Sequence, residues 1–335
     1  GSPKGNNAEM KTDGWELSLS WRDSFKLGGK PFDYSIKAMV WDSKSVITKY
    51  VNDTGSLGTV KGFIENGGSP SSYYVGMTVG EIWGYTVAGL FRDQADIDSS
   101  AIHDFVQASD KVTRPGQVKI ADLDGNGFID PGNFAVDDHG DLRIIGNQSP
   151  RYRYGVNLSA RWNGIGLSVF LQGVGARDWY PGSDAGMFWG KYGRPFFALI
   201  PSIHNYTDDM YSAERNNWDT AYWPRMTTYQ SNGTKNWTRL LEIPNTRYIQ
   251  SAAYLRVKNI QLDYSFPKHI CSAIRLQGLK IYVNAENLFT FTPLHKYAPN
   301  FDPEGLSYDS DFASAADGYT YPILKSVTVG VNITF

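Results

Sequence analysis

Residues 122–130 (DLDGNGFID) have the residue types and spacing of a loop that binds a divalent cation. Acidic or amide side chains stand at the first, third, fifth and ninth positions, and glycine stands at the sixth. Loops of the EF-hand type offer Ca²⁺ side-chain oxygens at these positions and a backbone carbonyl at the seventh. The sequence therefore predicts a calcium site. The predicted ligands are Asp122, Asp124, Asn126, the carbonyl of Phe128, and Asp130.

The twelfth position of this loop departs from the pattern, because Asn133 stands where a bidentate glutamate is expected. Asp137, Asp138 and Asp141 follow closely, and any of them could supply the missing carboxylate. The alternative is an acidic turn whose side chains bond to their own backbone and hold no ion. The sequence leaves both interpretations open.

Aromatic side chains are concentrated in residues 176–253. Aromatic rings stack on sugars or pack against partner proteins, so these side chains are candidates for contact with a ligand or a partner. The alternative is that a long loop folds on itself by burying the same rings. The candidates are Trp179, Tyr180, Trp189, Trp218, Trp223 and Trp237.

Catalytic motifs are not found in the sequence. The five histidines are scattered without an HExxH motif, and neither a GxSxG elbow nor a Walker loop occurs. Cys271 is the one cysteine, which excludes a multi-cysteine metal site. Carboxylates are plentiful in the loops, but no spacing marks a glycosidase pair. We therefore predict that the chain is not an enzyme.

Seven segments alternate apolar and polar residues with the period of two that is typical of β-strands. Several are near the ~9–11 residues that a tilted membrane-spanning strand needs. In one of them the phase changes between Val257 and Ile260, which predicts a β-bulge. The predicted strands cover residues 15–25, 32–41, 152–162, 165–173, 254–266, 279–289 and 326–335.

The last ten residues (SVTVGVNITF) form the most informative of these strands. One face is apolar up to the terminal aromatic residue, and the other face is polar. In an outer-membrane barrel the last strand closes the sheet, and its aromatic end lies at the membrane interface. The predicted lipid-facing, barrel-closing residues are Val327, Val329, Val331, Ile333 and Phe335.

The connections between the strands alternate in length. Residues 26–30, 163–164 and 267–278 are short, whereas residues 42–151, 176–253 and 290–325 are long. Outer-membrane barrels have short periplasmic turns and long extracellular loops, which matches this order. Bacterial single-chain barrels have even strand numbers, so seven strands indicate an arc of a larger barrel.

Composition sets further limits. The formal net charge is −2, which argues against nucleic acid as a partner. No stretch approaches the ~20 consecutive apolar residues of a membrane-spanning helix, so any spanning must use strands. The first residues (GSPKGNN) read as a loop rather than a signal peptide, and we expect a longer protein to begin before them.

The chain resembles the C-terminal part of SusC/RagA-like TonB-dependent transporters, which are outer-membrane proteins of Bacteroidetes. The order and spacing of the matching segments make the resemblance specific. These segments are GWELSLSWRD (14–23), GEIWGYTVAGLF (80–91), PGQVKIADLDGNGFID (115–130), LRIIGNQSPRYRYGVNLSARWNG (142–164), VFLQGVGARDWY (169–180), AAYLRVKNIQLDYSFPK (252–268), YVNAENLFTFT (282–292) and the C-terminal strand.

The resemblance implies an all-β fold, a transmembrane antiparallel barrel of 22 strands with long extracellular loops. Residues 1–335 would supply about its last third, with the plug domain and the TonB box outside this sequence. It further implies active import of oligosaccharides or peptides, powered through TonB, with a SusD-like surface lipoprotein as partner. The alternative from a different class is a secreted β-rich carbohydrate-binding module stabilised by calcium.

Overall fold

The computed structural model describes residues 6–51, 55–57, 73–103, 113–181, 188, 209–225, 243–306 and 323–335. Its central feature is an antiparallel sheet of seven strands in the spatial order β1-β2-β7-β8-β11-β12-β13. These strands are β1 (Glu9–Leu27), β2 (Lys30–Lys49), β7 (Arg151–Trp162), β8 (Ile165–Ala176), β11 (Tyr254–Ser265), β12 (Gly278–Phe291) and β13 (Ser326–Thr334). All seven strands predicted from the period-two pattern are therefore present.

Three short connections join neighbouring strands at one end of the sheet. Gly28 and Gly29 turn between β1 and β2, and Asn163 and Gly164 turn between β7 and β8, all four with positive φ. Positive φ at both central residues is the requirement of the tight hairpin turn whose twist matches that of the strands. Helix α2 (Lys268–Ala273) lies between β11 and β12. The three long connections therefore all leave from the opposite end, as predicted.

The predicted bulge is also present. The pairing of β11 with both of its neighbours shifts register between Val257 and Asn259. An extra residue on one strand reverses which side chains face which way, and this explains the change of phase in the sequence.

One face of the sheet is apolar and exposed. Trp15, Leu17, Leu19 and Trp21 of β1 are each 51–67% exposed. The predicted apolar side chains of the C-terminal strand are exposed in the same way, with Phe335 at 83%. An apolar surface this extensive is unfavourable in water but is what a bilayer accepts.

The opposite face is polar and bonded across the strands. Ser35 and Ser159 share a hydrogen bond of 2.7 Å between β2 and β7. Asn259 donates to Asn284 at 2.8 Å between β11 and β12. The period of two thus separates a lipid face from a face suited to a water-filled lumen.

Strands β1 and β2 extend well beyond the predicted segments, to 19 and 20 residues. The extra length lies at the end from which the long connections leave. There the outward side chains become charged, and Lys11 pairs with Asp13 at 2.9 Å. The apolar alternation ends where the strand leaves the bilayer, so the pattern marks only the membrane-spanning part.

The long connections fold into a second layer, here called the head, at that end of the sheet. It contains three small two-stranded sheets and a five-residue helix, α1 (Gln94–Asp98). The strand pairs are β3 (Glu81–Tyr85) with β6 (Leu142–Asn147), β4 (Val87–Leu90) with β5 (Val118–Ile120), and β9 (Asp178–Trp179) with β10 (Gln250–Ser251). Within the described ranges, no helix is long and apolar enough to cross a membrane.

Candidate functional site

The head is held together by one core that joins all three long connections. Buried members come from β3 to β6, from the segments after β8, and from the segment after β12. Tyr85, Leu142, Tyr248 and Leu294 are fully buried although they are far apart in sequence. The head is therefore a folded unit rather than a set of separate loops.

Three of the six aromatic candidates lie inside this core. Trp179, Tyr180 and Trp223 are each 1–2% exposed. The ring of Trp179 lies 4.9 Å from that of Phe301, and Trp223 stacks on Tyr248 at 5.7 Å. The structure thus places these rings where they hold the head together, and not on a surface open to a ligand.

The other three candidates have different positions. Trp218 is half-buried against the same core. Trp189 and Trp237 lie outside the described residues. The sequence could not separate packing from ligand contact, because both use the same side chains in the same long segments.

The predicted calcium loop is an exposed, tightly bonded turn on the head. Asp122 accepts backbone N–H groups from Gly125 at 2.7 Å and Gly127 at 3.0 Å. Asn126 bonds to both Asp124 and Asp130 through its side-chain amide, and it accepts the backbone N–H of Phe128 at 2.7 Å. All five predicted residues therefore belong to one turn.

Asp141 completes the acidic cluster at this loop. Carboxylate oxygens of Asp122, Asp124 and Asp141 lie within 4.8 Å of one another. Asp138 instead bonds to Asn133, the residue at the twelfth loop position. Of the three aspartates that the sequence left open, the fold brings Asp141 to the loop.

The position of Asp141 is fixed by the backbone of the loop itself. Its side chain is fully buried and accepts the N–H groups of Leu123 at 2.6 Å and Asp130 at 3.1 Å. Burial raises the pKa of Asp141, the two N–H bonds oppose this rise, and the negative charges of Asp124 and Asp122 add to it. A cation between the three carboxylates would relieve that repulsion.

His103 links this loop to the rest of the head, and sequence analysis did not single it out. Its Nε2 accepts the backbone N–H of Ile120 at 2.9 Å, and its Nδ1 bonds to the carbonyl of Ala101 at 2.8 Å. The adjacent Ile102 forms backbone bonds to Gly127 and Ile129 in the predicted calcium loop. A lone histidine gives no sequence signal for such a role.

The bonding of His103 makes the head sensitive to acid. Burial lowers the pKa of His103, and the nearby charge of Lys119 lowers it further, although the bond to Ala101 opposes this. A neutral ring is required, since Nε2 accepts a hydrogen bond. The stabilisation is complete above the ordinary histidine pKa of about 6.5 and is lost as the pH falls below it.

Below the ordinary histidine pKa of about 6.5, we expect the free energy of unfolding of the head to fall by up to about 1.4 kcal/mol per pH unit. In a His103→Gln variant this part of the pH dependence should disappear. Thermal unfolding of both proteins between pH 4.5 and 7.5 measures it. Parallel pH profiles would show that His103 does not titrate in this way.

At the end of the polar face away from the head, a groove of about 520 Å³ crosses five strands, β1, β2, β7, β8 and β11. Arg22, Asp33, Ser159, Arg161 and Asp263 are among its lining residues. The Asp263 carboxylate lies 3.1 Å from the Lys280 ammonium and 3.7 Å from the Arg161 guanidinium. The first of these pairs joins the neighbouring strands β11 and β12, and the second reaches across β8 to β7. Charged side chains that pair across strands in this way suit an inner barrel wall and need no catalytic role.

No family model matches the sequence. Three TonB-dependent receptors of Formosa agariphila are similar: P3 is 26% identical over 266 residues, P26 is 22% identical over 336 residues, and P39 is 22% identical over 362 residues. The matches cover 78%, 98% and 99% of this chain, which spans only 22–31% of the relatives' length.

Solved structures with a similar fold include the RagAB peptide importer. Its "open-open" state gives a TM-score of 0.60 at 16% identity, covering 98% of this chain and 29% of that one. Its "closed-closed" state gives 0.57 at 17% identity, covering 97% and 30%. This chain is therefore similar in sequence to TonB-dependent receptors and similar in fold to the RagAB importer, which supports a place in the outer membrane.

Proposed function

We propose that this chain forms part of the wall and the extracellular head of a TonB-dependent importer of oligosaccharides or peptides. The observation that carries the proposal is the two-faced sheet, apolar outside and polar inside, with a folded head at one end. Such a wall passes a hydrophilic substrate without making or breaking a covalent bond. The similarity to TonB-dependent receptors and to a peptide importer supports it.

The edges of the sheet support a larger barrel. Within the described residues β1 pairs only with β2, and β13 pairs only with β12. An unpaired strand edge in a bilayer leaves backbone N–H and C=O groups without partners, which costs several kcal/mol per group. We therefore propose that further strands pair with both edges. We propose that the part of the transporter that supplies these further strands also supplies a plug domain and the contact with TonB.

Uptake by living cells tests the proposed function. Cells that lack this protein should take up fluorescent oligopeptide or oligosaccharide mixtures more slowly than their parent strain. Deleting tonB in the parent should cause the same loss, since import would be powered through TonB. Unchanged uptake of every fraction in both mutants would contradict active import.

The partner that the family resemblance implies is a SusD-like surface lipoprotein over the head. Purification of the transporter from outer membranes in mild detergent should retain such a lipoprotein. The secreted carbohydrate-binding module is less well supported, because its surface would not carry the exposed apolar face of this sheet.

We also propose that the loop around Asp122 binds calcium and stiffens the head. The arrangement of Asp122, Asp124 and Asp141 supports this, since hard oxygen ligands converge there from two segments. Its role would be structural, because no substrate-activating group adjoins the three carboxylates among the described residues.

Calcium should stabilise the head by about 2.7 kcal/mol when its free concentration is 100 times the Kd. Asp124→Asn should remove the effect, because it takes away one of the three clustered carboxylates. Asp124 is exposed, so we expect the fold to tolerate this change. Asp137→Asn is the matched control, an exposed carboxylate outside the cluster. Thermal unfolding with calcium and with a chelator measures all three proteins. Equal melting temperatures in both conditions for the unsubstituted protein would rule out the site.

A further inference from the structure

Residues 293–306, here called the strap, lie against the lumen face of the sheet at its extracellular end. The strap follows β12 and begins with a 3₁₀ helix, Pro293–Lys296. Its contacts reach side chains of β8 and β11 on the polar face. The strap thus lies directly against the lumen wall.

Arg256 of β11 holds the strap from the side of the wall. Its Nη2 lies 2.5 Å from Asp302, and its Nη1 lies 2.5 Å from Glu304. Its Nε donates to the Thr290 hydroxyl of β12 at 2.9 Å. The Arg256 side chain is only 4% exposed, so two carboxylates compensate one buried guanidinium.

Other donors of the wall converge on the same Glu304 carboxylate. Lys258 lies 3.0 Å away, and the Tyr254 hydroxyl and the Gln172 amide donate at 3.2 and 3.3 Å. Arg177 donates to backbone carbonyls at the end of the strap, at 3.3 Å to Pro303 and 2.6 Å to Leu306.

The opposite side of the strap is buried in the head core. Leu294, Ala298, Phe301 and Leu306 are 0–5% exposed and belong to that core. Phe301 packs on the buried ring of Trp179. Separating the strap from the head would expose apolar surface to water. Separating it from the wall would leave buried charges uncompensated.

We propose that Arg256 is the positioning residue that fixes the strap across the extracellular end of the lumen wall. The strap is then a permanent partition of the mouth, and substrate passes beside it. A gate of the importer must lie in other segments. This assignment goes beyond the proposed function, since it concerns how the mouth is built.

Hydrogen–deuterium exchange of the native protein in detergent tests the partition. The amides of Ala298, Phe301 and Gly305 bond within the strap and report its opening. In the unsubstituted protein they should exchange as slowly as the amides of β11. Arg256→Met should accelerate their exchange at least about 100-fold, because it removes the cation that pairs with buried Asp302 and leaves Glu304 with Lys258 alone as its cation.

Lys258→Met is the matched control, a cation of the same strand that contacts Glu304 alone and is more exposed. It should accelerate strap exchange less than about tenfold. The amides of β7 should be unchanged in both variants. If Arg256→Met does not assemble, Arg256→Lys keeps the charge but cannot bridge both carboxylates, and it should accelerate exchange at least about tenfold.

Two results would overturn the assignment. Rapid exchange of the strap in the unsubstituted protein would make it a mobile lid. Equal effects of the Arg256 and Lys258 variants would remove the positioning role of Arg256. Exchange needs no transport, so failure of the proposed import function would leave this test intact.

Discussion

Replacing Val169 with arginine should lower the free energy of unfolding in the membrane by about 2–4 kcal/mol. Val169 lies near the middle of β8 and pairs with Leu158 and Ile260 on the apolar face. An arginine there would have to reach the interface or bring water into the bilayer, and either costs free energy. Among single substitutions on the lipid-facing side of β8, this one should lower the free energy of unfolding the most.

Ser168 provides the matched control, because it precedes Val169 and faces the lumen. It pairs with Ser159 and Gln261 on the polar face. Ser168→Arg should change the free energy of unfolding by less than about 1 kcal/mol, since the new charge stays in water. Urea titration of the protein in lipid vesicles measures both variants. Equal losses at the two positions would contradict the assignment of the faces.

The second large effect is expected at the extracellular rim, where Asp42 of β2 meets Arg151 at the start of β7. Arg151 bonds to both carboxylate oxygens, with Nε at 2.6 Å and Nη2 at 2.5 Å, and the N–H of Tyr152 adds a bond at 3.2 Å. The Asp42 side chain is 4% exposed. Asp42→Ala should cost about 3–5 kcal/mol, because it leaves a partly buried guanidinium and a backbone N–H without a partner.

A double-mutant cycle separates the ion pair from mere loss of packing. Asp42→Leu combined with Arg151→Leu should recover most of the stability, since no uncompensated charge remains. Urea unfolding of Asp42→Leu, of Arg151→Leu and of the double variant, each compared with the unsubstituted protein, gives the coupling free energy. A loss below about 1 kcal/mol in Asp42→Ala would place the pair with ordinary exposed salt bridges.

The sheet could be predicted from the sequence because membrane-spanning strands alternate strictly between two solvents. Tyr152 to Trp162 shows this most clearly, and the structure confirms the strand almost to the residue. The outer ends of β1 and β2 were not predicted, because the strict apolar–polar alternation stops there and Ile47 of β2 packs into the head core instead. The total of 22 strands stays a prediction from the family resemblance.

The head could be predicted only in part, because its contacts join residues far apart in sequence. Asp141 reaches the predicted calcium loop from outside the recognised motif, and Arg256 meets Asp302 across 46 positions. Trp179 and Trp223 are rings that pattern alone assigns equally well to a ligand surface or to a core. Proximity of this kind arises from the fold, and no local period encodes it.

The central claim is that this sheet is a membrane-spanning wall with a lipid face and a lumen face. Spin labels placed singly along residues 152–162 of the native protein in lipid vesicles test it most directly. Collision with oxygen should peak at Val156, Leu158 and Ala160, and collision with a water-soluble nickel chelate should peak at Asn157 and Ser159. Access of the chelate to every position, without alternation, would contradict the claim that this sheet is a membrane-spanning wall, and with it the proposed import function.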